Sequence, residues 1–256
     1  MIKQTKYIDV EEETILDLDA DNQGDFIAFT DNKTVITNDY NLKIDLEIRF
    51  PIIRRLNKEK FFIADSRTIP TKANGHILDF KGNLIKSFLA GDGIGDILVH
   101  RDKIVIAYFD EGVYGSDGPN HDGLAVFNFQ GQQEFGVNSN GGDISDCYCI
   151  CKYGLNKILF YAYTDFKLSE LDLDTFKIES FETPNEFSGA SAMTSMADKI
   201  IFHSSYHDKR SFFPWDRNKK EVIKFGEYSP GLRGIGDGKF LAYGDKGYTI
   251  IDVTKQ

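Results

Sequence analysis

The sequence predicts an all-β fold: a six-bladed β-propeller of four-stranded antiparallel blades, closed by the N-terminal strand on the last blade. Three observations carry this expectation. First, a turn marker recurs, a short acidic or amide residue flanked by apolar ones. It appears as Leu78-Asp79-Phe80, Phe127-Asn128-Phe129, Leu171-Asp172-Leu173 and Ile251-Asp252-Val253, with weaker copies at Asn38-Asp39-Tyr40 and Trp215-Asp216. From Asp39 to Asp252 the markers are 40, 49, 44, 44 and 36 residues apart, and a four-stranded blade takes roughly 40 to 50. A short Asp or Asn side chain can accept hydrogen bonds from turn amides and so fix the reversal between a third and a fourth strand. Second, no useful window has the periodicity of an amphipathic helix. Short apolar runs separated by Gly, Asn and Asp turns fill the chain instead. Third, the last blade is one strand short, while the N-terminus has one strand to spare at residues 6–10.

In chain order, the first blade (residues 11–50) takes runs 15–18, 26–29, 34–37 and 42–50. The second (51–90) takes 52–56, 61–64, 76–80 and 84–89. The third (91–138) begins at Gly91-Asp92-Gly93 and continues through 94–99 and 104–109. It then makes a polar, Gly-rich excursion and returns through 124–129 and 133–137. The fourth (139–182) takes 144–151, 158–163, 167–173 and 177–181. The fifth (183–228) takes 190–196, 200–204, 211–215 and 222–225. The sixth (229–256 plus 1–10) takes 232–235, 240–243 and 248–253, completed by 6–10. An open array would leave unpaired sheet edges, and closure leaves only short ones. The chain is thus expected to be a single propeller domain.

Composition agrees. Hydrophobic residues make up 41% and charged residues 27% of 256 residues, an ordinary balance for a packed core. Aromatics reach 13%, with 21 Phe and 12 Tyr, which favours strands. The formal net charge of -10 argues against a non-specific nucleic-acid binder, which needs a basic face, and against an anionic membrane surface. No apolar signal core follows Met1-Ile2-Lys3, and no apolar run is long enough to span a bilayer. The expectation is a cytoplasmic monomer. Cys147, Cys149 and Cys151 alternate along one strand, so their side chains leave by one face and are too parallel to bridge. Reduced, buried thiols are expected, because C-x-C-x-C lacks the spacing and His partners of a zinc module.

In a propeller, the loops between second and third strands share one side with the connections between blades. Here that side collects 66–75, 110–123, 164–166 and 206–210, together with 91–93, 138–143, 182–189 and 229–231. Long loops on a rigid frame carry binding. The candidate ligand-binding residues are Asp92, Asp96, Asp110, Glu111, Tyr114, Asp143, Asp146, Tyr163, Asp165, Tyr206 and Arg233, with Arg67, Tyr108 and Asp117-Gly118-Pro119-Asn120-His121-Asp122-Gly123 nearby. Asp92 and Asp143 also stand where they would cap a turn before an inner strand, and Asp110-Glu111 would equally suit a solvated pair. A carboxylate-lined funnel suits a cation, a basic peptide segment or a polyhydroxylated ligand held over Tyr faces. The other side collects short Lys-rich turns at 57–60, 101–103, 156–157, 198–199 and 217–220, read as solvated hairpins that blunt sheet edges.

Gly93 to Gly115, ending Ile104-Val105-Ile106-Ala107-Tyr108-Phe109-Asp110-Glu111-Gly112-Val113-Tyr114-Gly115, resembles a segment of a family of uncharacterised bacterial propeller-like proteins. Asp146-Cys147-Tyr148 with Tyr161-Ala162-Tyr163-Thr164-Asp165-Phe166 is similar to a second segment of that family. Gly189-Ala190 with Ser205-Tyr206-His207-Asp208 is similar to a third. The resemblance implies the propeller fold and brings no assigned activity. The Trp215-Asp216 pair resembles a WD repeat, but the Gly-His element at the blade start is missing.

No P-loop, dinucleotide fingerprint or nucleophile elbow occurs. The reading is therefore a non-catalytic binding or interaction module that holds a protein partner or a small polar ligand on the long-loop side, with no catalytic residue and no cofactor assigned. The alternative is a metal-assisted hydrolase or lyase of a lactone, sugar or ester. Six-bladed sugar-lactonase-like enzymes hold a divalent cation on Glu, Asn and Asp side chains, and here Asp96, Asp110 and Asp146 would supply oxygens to an ion such as calcium.

Overall fold

Strand β1 (Ile2–Tyr7) opens the chain. Next come β2 (Ile15–Ala20), β3 (Phe26–Thr30), β4 (Thr34–Thr37) and β5 (Asn41–Lys43), then β6 (Pro51–Arg55), β7 (Lys60–Asp65), β8 (Gly75–Asp79) and β9 (Leu84–Phe88). The third group is β10 (Ile94–His100), β11 (Lys103–Tyr108), β12 (Leu124–Asn128) and β13 (Gln133–Gly136). The fourth is β14 (Asp146–Tyr153), β15 (Lys157–Tyr163), β16 (Leu168–Asp172) and β17 (Ile178–Phe181). The fifth is β18 (Ala192–Met196), β19 (Lys199–His203), β20 (Ser211–Asp216) and β21 (Phe225–Glu227). The last holds β22 (Arg233–Gly236), β23 (Lys239–Gly244) and β24 (Gly247–Asp252). Each group is one sheet in chain order, and β1 completes the last by pairing with β24. This is a six-bladed β-propeller of four-stranded antiparallel blades, closed on its final blade by the N-terminal strand. The computed structural model describes residues 1–163, 165–217, 219 and 221–254. Among them no helix is long and apolar enough to cross a membrane. Thr164, Asn218 and Lys220, which belong to predicted loops, lie outside the described residues.

The chain divides into two compact units: Lys6–Ser145 with Tyr243–Tyr248, and Met1–Thr5 with Asp146–Ala242 and Thr249–Gln256. In the Lys6–Ser145 unit, β2 packs on β6 and β6 on β10. One core cluster there joins Phe29, Val35, Ile53, Phe61 and Leu78, and another joins Phe62, Ile77, Ile97, Ile106 and Phe127. In the Asp146–Ala242 unit, β14 packs on β18 and β18 on β22. Phe187 stacks there on Phe202, with centroids 4.1 Å apart. Middle strands such as β3 and β4 are buried throughout, while the outermost strands, β1 above all, are largely exposed. That gradient is expected of a sheet whose outer edge meets water.

Four of the marker residues, Asp79, Asn128, Asp172 and Asp252, act as their chemistry predicts. The Asp79 carboxylate accepts from the amides of Lys81 and Asn83, both at 2.9 Å. Asn128 accepts from Gln130 and Gln132, Asp172 from Asp174 and Thr175, and Asp252 from Thr254. In the first blade the role passes to a neighbour: the Thr37 hydroxyl accepts from the amides of Asp39 and Tyr40.

Several boundaries differ from expectation. The closing strand is Ile2–Tyr7, not 6–10. The Tyr7-Ile8-Asp9-Val10 alternation does report burial, since Ile8 and Val10 are buried. The edge strand itself is exposed at every position and carries no apolar signature. The fourth strand of the first blade is only Asn41–Lys43, and that of the fifth is Phe225–Glu227. The excursion over 110–123 is no plain loop. It holds the short helix α1 (Asp110–Val113) and a 3-10 turn, Pro119–Asp122. The cysteines are free and buried, but they do not share one face. A β-bulge between Cys147 and Cys149 makes Tyr148 the extra residue. Cys149 and Cys151 join the core cluster around Phe202, and Cys147 does not. Burial pushes the Cys151 thiol up to about 12, far from the thiolate that reactivity needs.

Candidate functional site

In the Lys6–Ser145 unit, the β7–β8 loop, the 91–93 connection and the 110–123 excursion meet around Arg67. Its Nε donates to Asp92 Oδ1 at 3.1 Å, and one terminal nitrogen donates to Glu111 Oε2 at 2.6 Å. Its guanidinium carbon lies 5.5 Å from the Phe109 ring centroid. Hydrogen bonds to Glu111 and then Asp92 raise the Arg67 pKa. Asp92, itself buried, also accepts the Thr68 amide at 2.7 Å.

Helix α1 sits on this connection because two glycines let the backbones touch. A Cβ on Gly93 would lie 2.5 Å from Gly112 Cα, and one on Gly112 would lie 2.4 Å from the Asp92 carbonyl oxygen. The helix begins with Asp110 and Glu111, where carboxylates suit free backbone N–H groups. Asn120, 1% exposed, staples the far end. Its amide nitrogen donates to the carbonyls of Gly112 and Ser116, and its oxygen accepts the Asp92 amide. Asp122 is likewise buried and accepts from Gln133 Nε2 and the Ser139 amide. Asn138 ties the next connection to His121 and Ile144. The excursion is a fixed platform, with Asp110, Glu111 and Tyr114 at its exposed surface and Asp143 exposed on the following connection. Tyr114 is held by a 2.5 Å hydrogen bond between its hydroxyl and that of Ser145.

Asp96 is committed differently. It lies on β10, and its Oδ1 accepts from Arg54 at 2.8 Å and from the Ile97 amide at 2.8 Å. Arg54, on β6 and 3% exposed, donates also to Asp17 Oδ2 on β2 (2.8 Å), to the Ile97 carbonyl (2.6 Å) and to the Ile53 carbonyl (2.7 Å). Burial works against its charge, but Asp17, Asp96 and Asp19 hold its pKa above the ordinary value. The first strands of three successive blades are thereby tied by one guanidinium.

In the Asp146–Ala242 unit, the loops build an aromatic cluster. Phe166, at φ 52°, meets Tyr148, Tyr163 and Tyr206 edge to face, with centroids 5.4, 5.5 and 5.6 Å away. The hydroxyls of Tyr148 and Tyr206 are hydrogen-bonded to each other. Tyr163 and Tyr206 are 44% and 46% exposed, and Lys209 Nζ lies 5.5 Å from the Tyr206 ring centroid. Backbone bonds set the frame: the Tyr206 amide donates to Ser188, the Phe166 amide to Ala162, and the Thr183 hydroxyl to Phe166. Asp165 pairs with Lys167 at 3.0 Å. Asp146 opens β14 opposite Tyr163, and Arg233 opens β22 opposite Leu241.

Of the expected residues, the structure thus brings Asp92 and Glu111 together on Arg67, and Tyr163 and Tyr206 together on Phe166. Asp96 is joined to Arg54 and Asp17. The sequence reading missed that triad, although a pattern was present: one or two charged residues set between apolar or Gly residues, in Leu16-Asp17-Leu18, Ile53-Arg54-Arg55-Leu56 and Gly95-Asp96-Ile97. It missed Asn120 and Asn138 as staples, and nothing local separates them from other loop asparagines. Among the described residues no three His, Cys, Asp or Glu side chains converge as a metal site.

No family model matches the sequence, and no curated protein sequence matches it. Solved structures do. PorZ, an essential bacterial surface component of the type-IX secretion system of Porphyromonas gingivalis, is 10% identical with a TM-score of 0.61, over 100% of this chain and 33% of that one. The chain spans about a third of the length of PorZ. The β-propeller domain of Cps50 (Swd1) from Myceliophteria thermophila is 12% identical with a TM-score of 0.58, over 94% of this chain and 84% of that one. Virginiamycin B lyase from Staphylococcus aureus is 10% identical with a TM-score of 0.53, over 97% and 98%. One of these structures is a lyase and another a β-propeller domain, and at these identities the likeness is one of fold alone.

Proposed function

We propose that this propeller is a non-catalytic binding module that holds a protein partner on its long-loop side, through the aromatic cluster around Phe166. One observation carries the reading: Tyr163 and Tyr206 are nearly half exposed and yet are fixed edge to face on one ring. Exposed tyrosines already held in place lose little freedom on binding and supply both apolar area and a hydroxyl, which is why they dominate interface energetics. The hydrolase or lyase reading needs Asp96, Asp110 and Asp146 as free oxygen ligands. Asp96 is instead spent on the Arg54 guanidinium, which weighs against it.

The test is capture from the source cell with immobilised protein, comparing the natural chain with Tyr163→Ser/Tyr206→Ser and with Asp110→Ala/Glu111→Ala. A partner retained by the natural chain and lost with the tyrosine pair, at an unchanged melting temperature, supports the reading. Identical partner sets for all three proteins overturn it. Calcium is the companion titration: the binding-module reading expects no rise in melting temperature, whereas a rise of several degrees would mean that the folded state binds the ion and would favour the metal-enzyme alternative.

A further inference from the structure

By sequence, the Lys-rich turn at 57–60 reads as a solvated hairpin. The structure sets it beside the Asp79–Asn83 turn of the same blade and beside Tyr40, from the turn before β5. Together they enclose a cleft of about 430 Å³, a size that suits a small ligand. Its aromatic side is a stacked pair. The rings of Tyr40 and Phe80 are 11° from parallel with centroids 5.1 Å apart, Phe80 is buried, and Tyr40 remains 44% exposed. The Arg55 guanidinium carbon lies 5.0 Å from the Phe80 ring centroid.

The polar side is basic. Lys58, Lys60 and Lys81 all line the cleft, and none is in a recorded ion pair among the described residues. The lining also holds two carboxylates, Glu59 and Asp79. Asp79 accepts from the amides of Lys81 and Asn83 and from the Asn83 side chain and keeps its charge near Lys81, so the lysines outnumber the carboxylates three to two. Three lysines lining one cleft beside an exposed aromatic ring stand out in a chain of formal net charge -10. Ammonium groups on flexible stems suit phosphate as point charges, and an exposed ring already stacked on one neighbour suits a planar heterocycle. A nucleic-acid polymer would need a continuous basic track, which this acidic chain does not provide.

We propose that this cleft binds a nucleoside phosphate, the base stacking on Tyr40 and the phosphates held by Lys58, Lys60 and Lys81. The site is separate from the loop clusters and does not depend on the partner reading. The test is calorimetric titration of the full chain with ADP, with pyrophosphate and with adenosine. ADP is expected to saturate the natural chain at no more than millimolar concentration, and Tyr40→Ala and Lys58→Ala/Lys81→Ala are each expected to weaken it about tenfold or more. Tyr40→Phe should keep ADP binding, which separates loss of the stack from loss of fold. Pyrophosphate should bind more weakly than ADP and be blind to Tyr40→Ala. Absence of saturable ADP binding, equal affinity for ADP and pyrophosphate, or ADP affinity unchanged in both alanine variants overturns the proposal.

Discussion

Arg54 ties the first strands of three blades, β2, β6 and β10, through Asp17, Asp96 and the Ile97 carbonyl. It is 3% exposed and Asp17 is 6% exposed, so neither charge has access to bulk water, and each is tolerated because the other is there. Breaking a buried pair by removing one partner typically costs about 3–5 kcal/mol. Arg54→Met should therefore lower the melting temperature by roughly 10 °C. Lysine should rescue little, because the guanidinium serves two carboxylates and two carbonyls from a planar fork. Adding Asp17→Leu to Arg54→Met should recover part of the loss in a thermal melt, since the orphaned carboxylate goes with it. His203 is the other buried titratable group with a consequence. Its Nε2 faces the carbonyls of Arg210 and Tyr228 at 3.1 and 3.3 Å, and the ring lies 4.5 Å from that of Phe212. Burial lowers its pKa against the smaller opposing pull of those carbonyls and of Asp208, and burial likewise lowers His76. A lowered folded pKa means that the unfolded chain takes up protons first, so stability is full above about 6.5 and declines as the pH falls below it. Melting temperature should drop between pH 7 and pH 5, and His203→Gln should flatten that drop. A flat profile in the natural chain would falsify the assignment.

At the scale of strands and turns, closeness of approach decides what is tolerated. A Cβ on Gly234 of β22 would lie 1.7 Å from the carbonyl oxygen of Met193 on β18. That neighbour is backbone and cannot swing aside, so Gly234→Ala should cost about 3 kcal/mol or more. Gly244→Ala, where nothing lies within 4 Å, is the matched control. Urea midpoints of the two variants should differ clearly, and equal midpoints would show that β22 can retreat from β18. Such approaches leave no mark in a single sequence, which is why strand existence was legible here and inter-blade geometry was not. The turn markers were readable because Asp79, Asn128, Asp172 and Asp252 bond to amides two to four residues away. The Asn120 staple reaches Asp92, 28 residues back, and no local pattern encodes it. The same holds for the bulge at Tyr148. Alternation of Cys147, Cys149 and Cys151 was visible, but the extra residue that turns Cys147 away from the other two depends on pairing with β15. The candidate site was legible as residue types on shared loops. Which carboxylates were spent on Arg54 and Arg67 was set by contacts between blades.

For the molecule as a whole, closure turns on a strand with no buried side chain. Every residue of β1 is exposed, so the hydrophobic effect contributes little to seating it. Its role is to cover the edge of β24. The two sequences suit opposite positions: Ile2-Lys3-Gln4-Thr5-Lys6-Tyr7 carries two lysines, which blunt an outer edge, whereas Gly247-Tyr248-Thr249-Ile250-Ile251-Asp252 is rich in β-branched and apolar residues. Uncovered, β24 would present unpaired backbone groups on a strand well suited to adding another. Removing residues 1–7 should therefore cost little in blade packing but make the chain self-associate. Sedimentation velocity should show concentration-dependent oligomers for the truncated protein at unchanged near-ultraviolet circular dichroism. A free peptide of sequence IKQTKY, added in excess, should reverse the association by re-covering the edge. A truncated chain that stays monomeric at every concentration, and melts with the full-length protein, would show that β24 needs no cover and that the ring is held by its blade interfaces alone.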